Sequence, residues 1–541
     1  GKRNILSRTL DAFNRWFDHM ADRYRYLIAW SLDHRRLVLG VVAAAFFAGI
    51  AAFGSLEKSF LPDQDLAEFQ INFQTAPDAS IAETENRVRA VLAMLNTFPE
   101  IKHTYASIGA GDAGTVRDAK VYAKLSDKGE RDRSQQEIQQ VVRKRLQDIP
   151  GIIPAIVEIG RPTGEKPLMV SIRGEDVKLL KKYAVRLKDA MYGIPGVVDI
   201  EVPLELDIPE YKMVVDRERA VNAGVTTGDI ARTVGVLVGG KAVSTYEDEE
   251  GDAVDVRLRM SEDQRQVLNQ VENIRLAVFQ RNGEKILVPL NSVVEHKLST
   301  TPSEIDRRDL VRQVVLSANL DRLALGTAVE KIKEAAAKIE MLPGYRVIFA
   351  GEAEEMGEAF GYMAEALLMA IIFVYLVLAA LFESFIDPIA IMVSLPLAVF
   401  GMAGMLHLTG DTINIMSLIG LIMLMGLVSK NAILLISFAK DMVREGMERR
   451  EALIAAGRIR LRPIMMTTLA MIFGMLPVAL GIGKGAEIRA PMGRAVIGGL
   501  LTSTILTLLV IPVVYTLFDD LGNWIKKKWQ GKEIAHASGG K

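Results

Sequence analysis

The chain has 541 residues, 50% of them hydrophobic and 24% charged, with 65 Lys and Arg against 66 Asp and Glu. That balance excludes the basic footprint of a nucleic-acid binder, and a cysteine count of 0 excludes thiolate catalysis, disulfides and Cys-based zinc or iron–sulfur sites. A mean hydropathy of +0.20 is high for a soluble protein, yet the charged fraction is too large for a chain that lies wholly in a membrane.

In chain order, residues 1–36 alternate apolar and charged side chains (Phe13, Trp16, Phe17 and Tyr24 against Arg15, Arg23 and Arg25) and predict an amphipathic helix at the cytoplasmic membrane surface or, equally, a linker helix that packs on the bundle. Residues 37–56 form the first apolar run of about 20 residues, the length that crosses a bilayer. From residue 57 to 359 polarity is mixed. Period-two runs at 68–75, 104–108, 119–125 and 155–159 alternate with helical stretches at 80–96 and 134–147, so that 57–160 reads as two βαβ units. The same rhythm returns at 161–210 and 301–359, and those two segments bracket an inserted part at 211–300. Within it, Asn282-Gly283 between apolar strands predicts a hairpin turn, and Glu247–Asp252 predicts a solvated turn because it lacks the ligand spacing of a calcium loop.

The remaining apolar runs are 362–382, 388–408, 413–438, 463–482 and 492–518, within a region 360–520, and a basic tail follows at 521–541. Basic residues flank these spans at 23–36, 440–462 and 526–528, which six spans would place on one side. The positive-inside rule then puts both termini in the cytoplasm and the insertion outside. The predicted fold is an α-helical membrane bundle of six transmembrane helices carrying a large α+β periplasmic insertion of ferredoxin-like βαβ units. No P-loop, HExxH or GxSxG pattern is present, so the sequence supplies no enzymatic motif and no cofactor site.

Lys430 is the most informative residue. It stands inside the run 413–438, and the next basic residue towards the cytoplasm, Lys440, is about 15 Å along a helix. A lysine stem does not reach that far, and an ionisable group at this depth marks an ion pathway by default. The spans show no carboxylate at comparable depth, so the partner is expected from outside this sequence. Thr467 and Thr468 lie a turn or more inside the next span, where a hydroxyl often bonds its own helix.

Three motifs carry a resemblance: Phe60–Asp65 after the first span, Gly426–Leu434 around Lys430, and Arg460–Thr467. The sequence resembles the resistance-nodulation-division exporters, in particular their hydrophobe/amphiphile branch of AcrB/MexB type, and it is similar to the C-terminal half of such a pump. The resemblance implies a proton relay through Lys430, Arg460 and Thr467 with Asn431 beside the lysine, the relay aspartates belonging to the N-terminal half. It implies a substrate pocket at Tyr105, Ile108, Gly109, Gly111, Gly114 and Tyr122, where the loop 108–116 departs from the family by lacking aromatics. It makes 57–160 one porter subdomain, 161–210 with 301–359 a second, and 211–300 a docking subdomain with Asn282 and Gly283 at a hairpin tip. The implied partners are a periplasmic membrane-fusion adaptor, an outer-membrane channel and the lipid bilayer, in a homotrimer of the complete pump. The expected function is drug:proton antiport at the bacterial inner membrane, with the proton gradient as its energy source. Two alternatives remain open: heavy-metal export by the same fold, weighed against methionines that do not cluster in sequence, and a non-transporting assembly or lipid-sensing subunit, against which Lys430 speaks.

Overall fold

The computed structural model describes residues 5–62, 64–76, 79–109, 115–159, 166–202, 207–249, 251–266, 268–279, 285–302, 305–483 and 485–538, without the side chains of 5–16, 207–209, 266, 268, 269, 279, 302 and 521–538. The chain divides into two compact units, residues 204–305 and the remainder.

In the larger unit, α1 (Ile5–Asp33) is followed by α2 (Arg35–Ser55) and then by β1 (Glu68–Gln74), α3 (Ile81–Leu95), β2 (Ile101–Ile108), β3 (Asp118–Leu125), α4 (Gln135–Leu146) and β4 (Ile153–Glu158). These four strands form one antiparallel sheet in the order β2-β3-β1-β4. Strict alternation creates it. Phe69, Ile71 and Phe73 point inward from β1 onto Val88, Val91 and Leu95 of α3 and onto Ile138 and Val142 of α4. Both helices start at serine caps, Ser80 and Ser134, the second in a reciprocal box with Glu137. The segment from Phe60 to Asp65 joins this layer to the first span. The Asp65 carboxylate accepts from the Arg131 guanidinium and from the backbone N–H of Gln135 and Ala67.

Next come β5 (Leu168–Arg173), α5 (Val177–Tyr192) and β6 (Val197–Glu201). The smaller unit holds β7 (Asp207–Val215), α6 (Arg217–Asn222), α7 (Thr227–Val234), β8 (Lys241–Glu247), β9 (Ala253–Leu258), α8 (Glu262–Gln266), α9 (Leu268–Glu272), β10 (Arg275–Phe279), β11 (Lys285–Pro289) and β12 (Val294–Pro302). It has its own core of Ile230, Leu276, Leu290 and Val293. Helix α7 is capped by Thr226 in a reciprocal box with Asp229. β8 and β9 pair across the acidic run 247–252, and β10 pairs with β11 around a tip whose residues, Asn282 and Gly283 among them, lie outside the described residues.

The larger unit resumes with β13 (Asp306–Arg308), β14 (Val311–Leu320), α10 (Leu325–Ala337) and β15 (Arg346–Ala350). β14 pairs with β5 on one side and with β6 and β13 on the other, and β15 closes the far edge of β5. The order β6-β14-β5-β15 repeats the connectivity of the first sheet, with the smaller unit entering between its second and third strands.

The apolar region consists of α11 (Glu352–Phe382), α12 (Asp387–Met392), α13 (Ser394–Thr409), α14 (Ile415–Arg444), α15 (Arg449–Ala479) and α16 (Ala490–Ser538). Among the described residues six segments are long and apolar enough to cross a membrane: 35–55, 352–382, 387–409, 415–444, 449–479 and 486–520. Each run read from the sequence overlaps one of them, with 37–56, 413–438 and 463–482 reaching one to three residues past a helix end, and the helices are longer. α15 begins 14 residues before Pro463, because a proline removes only its own N–H and the flanking turns continue the helix. The run 388–408 breaks near Val393, three residues before Pro396. Helix α1 does not lie free along a surface: Tyr24, Ile28 and Leu32 are buried in the same core as Leu453, Ala456 and Leu508 of α15 and α16. Ile28 fits there because Gly457 has no side chain; a Cβ at that position would stand 2.1 Å from the Ile28 Cδ1.

Candidate functional site

The α14 helix starts at an Asn414–Ser417 capping box and runs through the bundle without a proline, so one face is continuous from end to end. Ion pairs mark both of its ends. At one, Arg494 grips both carboxylate oxygens of Asp411 at 2.8 and 2.9 Å. At the other, Lys440 binds Asp387 at 2.7 Å and stands over the Phe382 ring.

Between these anchors lies Lys430. Its side chain is exposed on the surface of the chain and makes no hydrogen bond or ion pair with a described residue. The lysine is therefore not enclosed by this chain, as a buried ammonium would be. It emerges from the apolar wall at mid-helix.

Asn431, the next residue, turns inward and is 2% exposed. Its Nδ2 donates to the hydroxyls of Thr468 on α15 and Thr504 on α16, at 3.4 and 3.3 Å. The two hydroxyls stand 3.3 Å apart. Thr467 behaves differently. It is half-buried and donates to the Ile464 carbonyl at 3.0 Å, a bond within its own helix. Arg460 stacks its guanidinium 4.3 Å from the Phe438 ring centre, and its Nε has no hydrogen-bond partner. No hydrogen bond or ion pair joins Lys430, Arg460 and Thr467 to one another. Thr468 and Thr504 are the polar neighbours that sequence reasoning did not single out as a site; the readable signal was their position as hydroxyls within apolar runs.

The second candidate region is the sheet edge β2-β3. Tyr105 and Tyr122 are direct cross-strand partners, and Tyr105 is 69% exposed. The Tyr122 hydroxyl donates to Glu68 at 2.7 Å; partial burial, followed by this bond and the negative charge of Glu68, pushes it up to about 12. Lys124 holds the same carboxylate oxygen at 2.6 Å. Ile108 ends β2, and Gly109 follows at φ +76°, its N–H bonded to the Asp118 carbonyl at 2.8 Å. Gly111 and Gly114 lie outside the described residues.

The model of the AcrB/AcrD/AcrF family matches residues 2–519. The chain belongs to that family. The AcrB/AcrD/AcrF match thus bears out the likeness to resistance-nodulation-division exporters read from three motifs. Two solved structures, crystal forms I and II of a heavy metal efflux pump, share its fold with a TM-score of 0.82 and 24% identity. Each match covers 93% of this chain and 52% of the solved one, so the chain spans about half the length of the pumps it matches. Among the described residues no three His, Cys, Asp or Glu side chains gather as a metal site.

Proposed function

We propose that the chain is the C-terminal half of a proton-motive-force-driven exporter of hydrophobic and amphiphilic compounds, in the bacterial inner membrane with both termini cytoplasmic. The observation that carries this reading is Lys430, a cation at mid-depth on an apolar helix, exposed and with no hydrogen-bond or ion-pair partner among the described residues. Such a charge costs a few kcal/mol to insert. A carboxylate pair from the other half would neutralise it, and protonation of that pair would release it. Arg460, Thr467 and Asn431 complete the proposed relay. The order 2-3-1-4 in both sheets of the larger unit supports ferredoxin-like porter subdomains. The six apolar helices support six spans. In this reading Tyr105, Tyr122 and the loop Ile108–Gly114 border the substrate path. The hairpin tip at Asn282-Gly283 contacts the neighbouring partners, an adaptor and an outer-membrane channel, in a homotrimer of complete pumps. No cofactor is needed beyond the proton gradient.

Heavy-metal export is a second reading of comparable support, favoured by the named function of the pump solved in two crystal forms. Liposomes holding the completed pump, loaded in parallel with an amphiphilic dye and with a soft metal ion, separate the two by which cargo moves when a proton gradient is imposed. Lys430→Met keeps the stem and removes the charge, so membrane insertion should persist and gradient-driven export of either cargo should fall to background. Export at the parental rate by this variant, at equal incorporation, would make Lys430 structural and sink the coupling reading.

A further inference from the structure

We infer that Asn431, Thr468, Thr504 and Thr507 form a buried hydration site between α14, α15 and α16, and that Asn431 is through it a positioning residue for Lys430. The role given to Lys430 is the one proposed above.

The four side chains are all at least 97% buried. The three contacts among Asn431, Thr468 and Thr504, at 3.3–3.4 Å, are longer than the usual hydrogen-bond distance of about 2.9 Å. Two further atoms here have no protein partner: the Asn431 Oδ1 and the Thr507 Oγ1, one turn beyond Thr504 on α16. The bundle shows the ordinary alternative. Ser429, Thr467, Ser503 and Thr516 each donate to a carbonyl three or four residues back in their own helix. Thr468, Thr504 and Thr507 do not, and so leave their hydroxyls directed to one another or unspent.

An amide oxygen and a hydroxyl left unpaired in an apolar interior carry a desolvation penalty, which a water with two to four polar partners removes. The chemistry of the cluster selects water over an ion. Its groups are neutral, they include donors and acceptors, and no carboxylate of a described residue is hydrogen-bonded to them to offset a buried cation. The geometric consequence falls on the next residue. Consecutive side chains on a helix diverge by about 100°, so an amide tied to two neighbouring helices adds to the packing that holds the rotation of α14 at this level. With it is fixed the direction in which Lys430 leaves the bundle.

The test uses the completed pump in liposomes, with Asn431→Leu, Thr504→Val, Thr504→Ser and Thr507→Val compared at equal incorporation and with thermal unfolding measured for each. Asn431→Leu and Thr504→Val should each lower the maximal export rate about tenfold, the size of one lost hydrogen bond, while KM and unfolding temperature stay near parental. Thr504→Ser should restore the rate, and the Asn431→Leu/Thr504→Val double variant should be no slower than the worse single one. An experimental density map should show solvent within hydrogen-bond reach of the Asn431 Oδ1. If Lys430→Met abolishes export while Asn431→Leu, Thr504→Val and Thr507→Val export at the parental rate, this inference falls and the coupling reading stands. Loss of rate only in step with loss of folding, or a dry cluster in the map, overturns it equally; export by Lys430→Met instead removes the reading on which it rests.

Discussion

Removing one oxygen from Tyr24 should loosen the attachment of α1 to the bundle, and the reason lies in α16. Pro512 has no N–H, so the carbonyl four residues earlier, that of Leu508, loses the donor that an uninterrupted helix would give it. The Tyr24 hydroxyl donates to that carbonyl at 2.7 Å from a side chain 7% exposed. Tyr24→Phe preserves the ring packing and strands a buried acceptor, which costs about 1–3 kcal/mol. The ion pairs that also join α1 to α15, Asp22–Arg458 and Asp33–Arg450, are about half exposed and contribute about 0–1 kcal/mol each, so they do not mask the loss. The control is the background: Pro512→Ala returns an N–H to position 512, and there the same Tyr24→Phe change should cost no more than about 0.5 kcal/mol. Unfolding in detergent micelles, followed by fluorescence of Trp30 on α1, measures both. An equal loss in the two backgrounds would refute the argument that the hydroxyl substitutes for the missing proline N–H.

Asp65→Asn should cost about 3–5 kcal/mol at neutral pH, because it leaves the Arg131 guanidinium, 1% exposed, without its counter-charge. Burial works to raise the Asp65 pKa, but Arg131 and the Gln135 and Ala67 N–H groups outweigh it and hold the carboxyl below its usual range. The stabilisation is therefore complete above the unfolded value of about 3.9 and fades as pH falls through the lowered folded value; thermal unfolding from pH 7 downwards should show a larger acid loss in the parent than in the variant, so that the two converge. Gly109→Pro cannot adopt φ +76° and also forfeits the N–H bond to Asp118, so export should drop with expression preserved, and Gly109→Ala should show a milder defect of the same kind. Unchanged export of several cargoes by the proline variant would leave the loop no role.

The apolar runs were legible because a bilayer-length helix needs only composition, and β1 was legible because alternation survives in the residues themselves. Helix ends were not. Pro463 reads as a start, yet α15 runs through it, since the packing of Leu453, Ala456 and Leu461 before it and of Ile464 after it outweighs one missing hydrogen bond. Residues 1–36 read equally as an amphipathic surface helix or as a linker helix packed on the bundle, because periodicity states that one face is apolar and says nothing of what covers it. In the structure α15 and α16 cover it, and the fit depends on Gly457, a residue with no hydrophobic signal of its own. Phe60–Asp65 served the sequence only as a family marker, whereas its last carboxylate proves to be a buried structural anchor.

The residues proposed for coupling show where a one-dimensional reading stops. Lys430 and Asn431 are neighbours, as are Thr467 and Thr468, and each pair is one polar patch in an apolar run. A helix rotates them about 100° apart. Lys430 leaves the bundle while Asn431 enters it, and Thr467 returns to its own backbone while Thr468 faces Asn431. Depth, which the sequence supplies, was enough to mark Lys430. Choosing between two adjacent threonines requires the azimuth of α15 against α14 and α16, and that is set by many small contacts spread along three helices. The consequence is testable by chemistry and not by position: whichever threonine serves α14 must keep its hydroxyl free of its own helix, and in this fold that is Thr468.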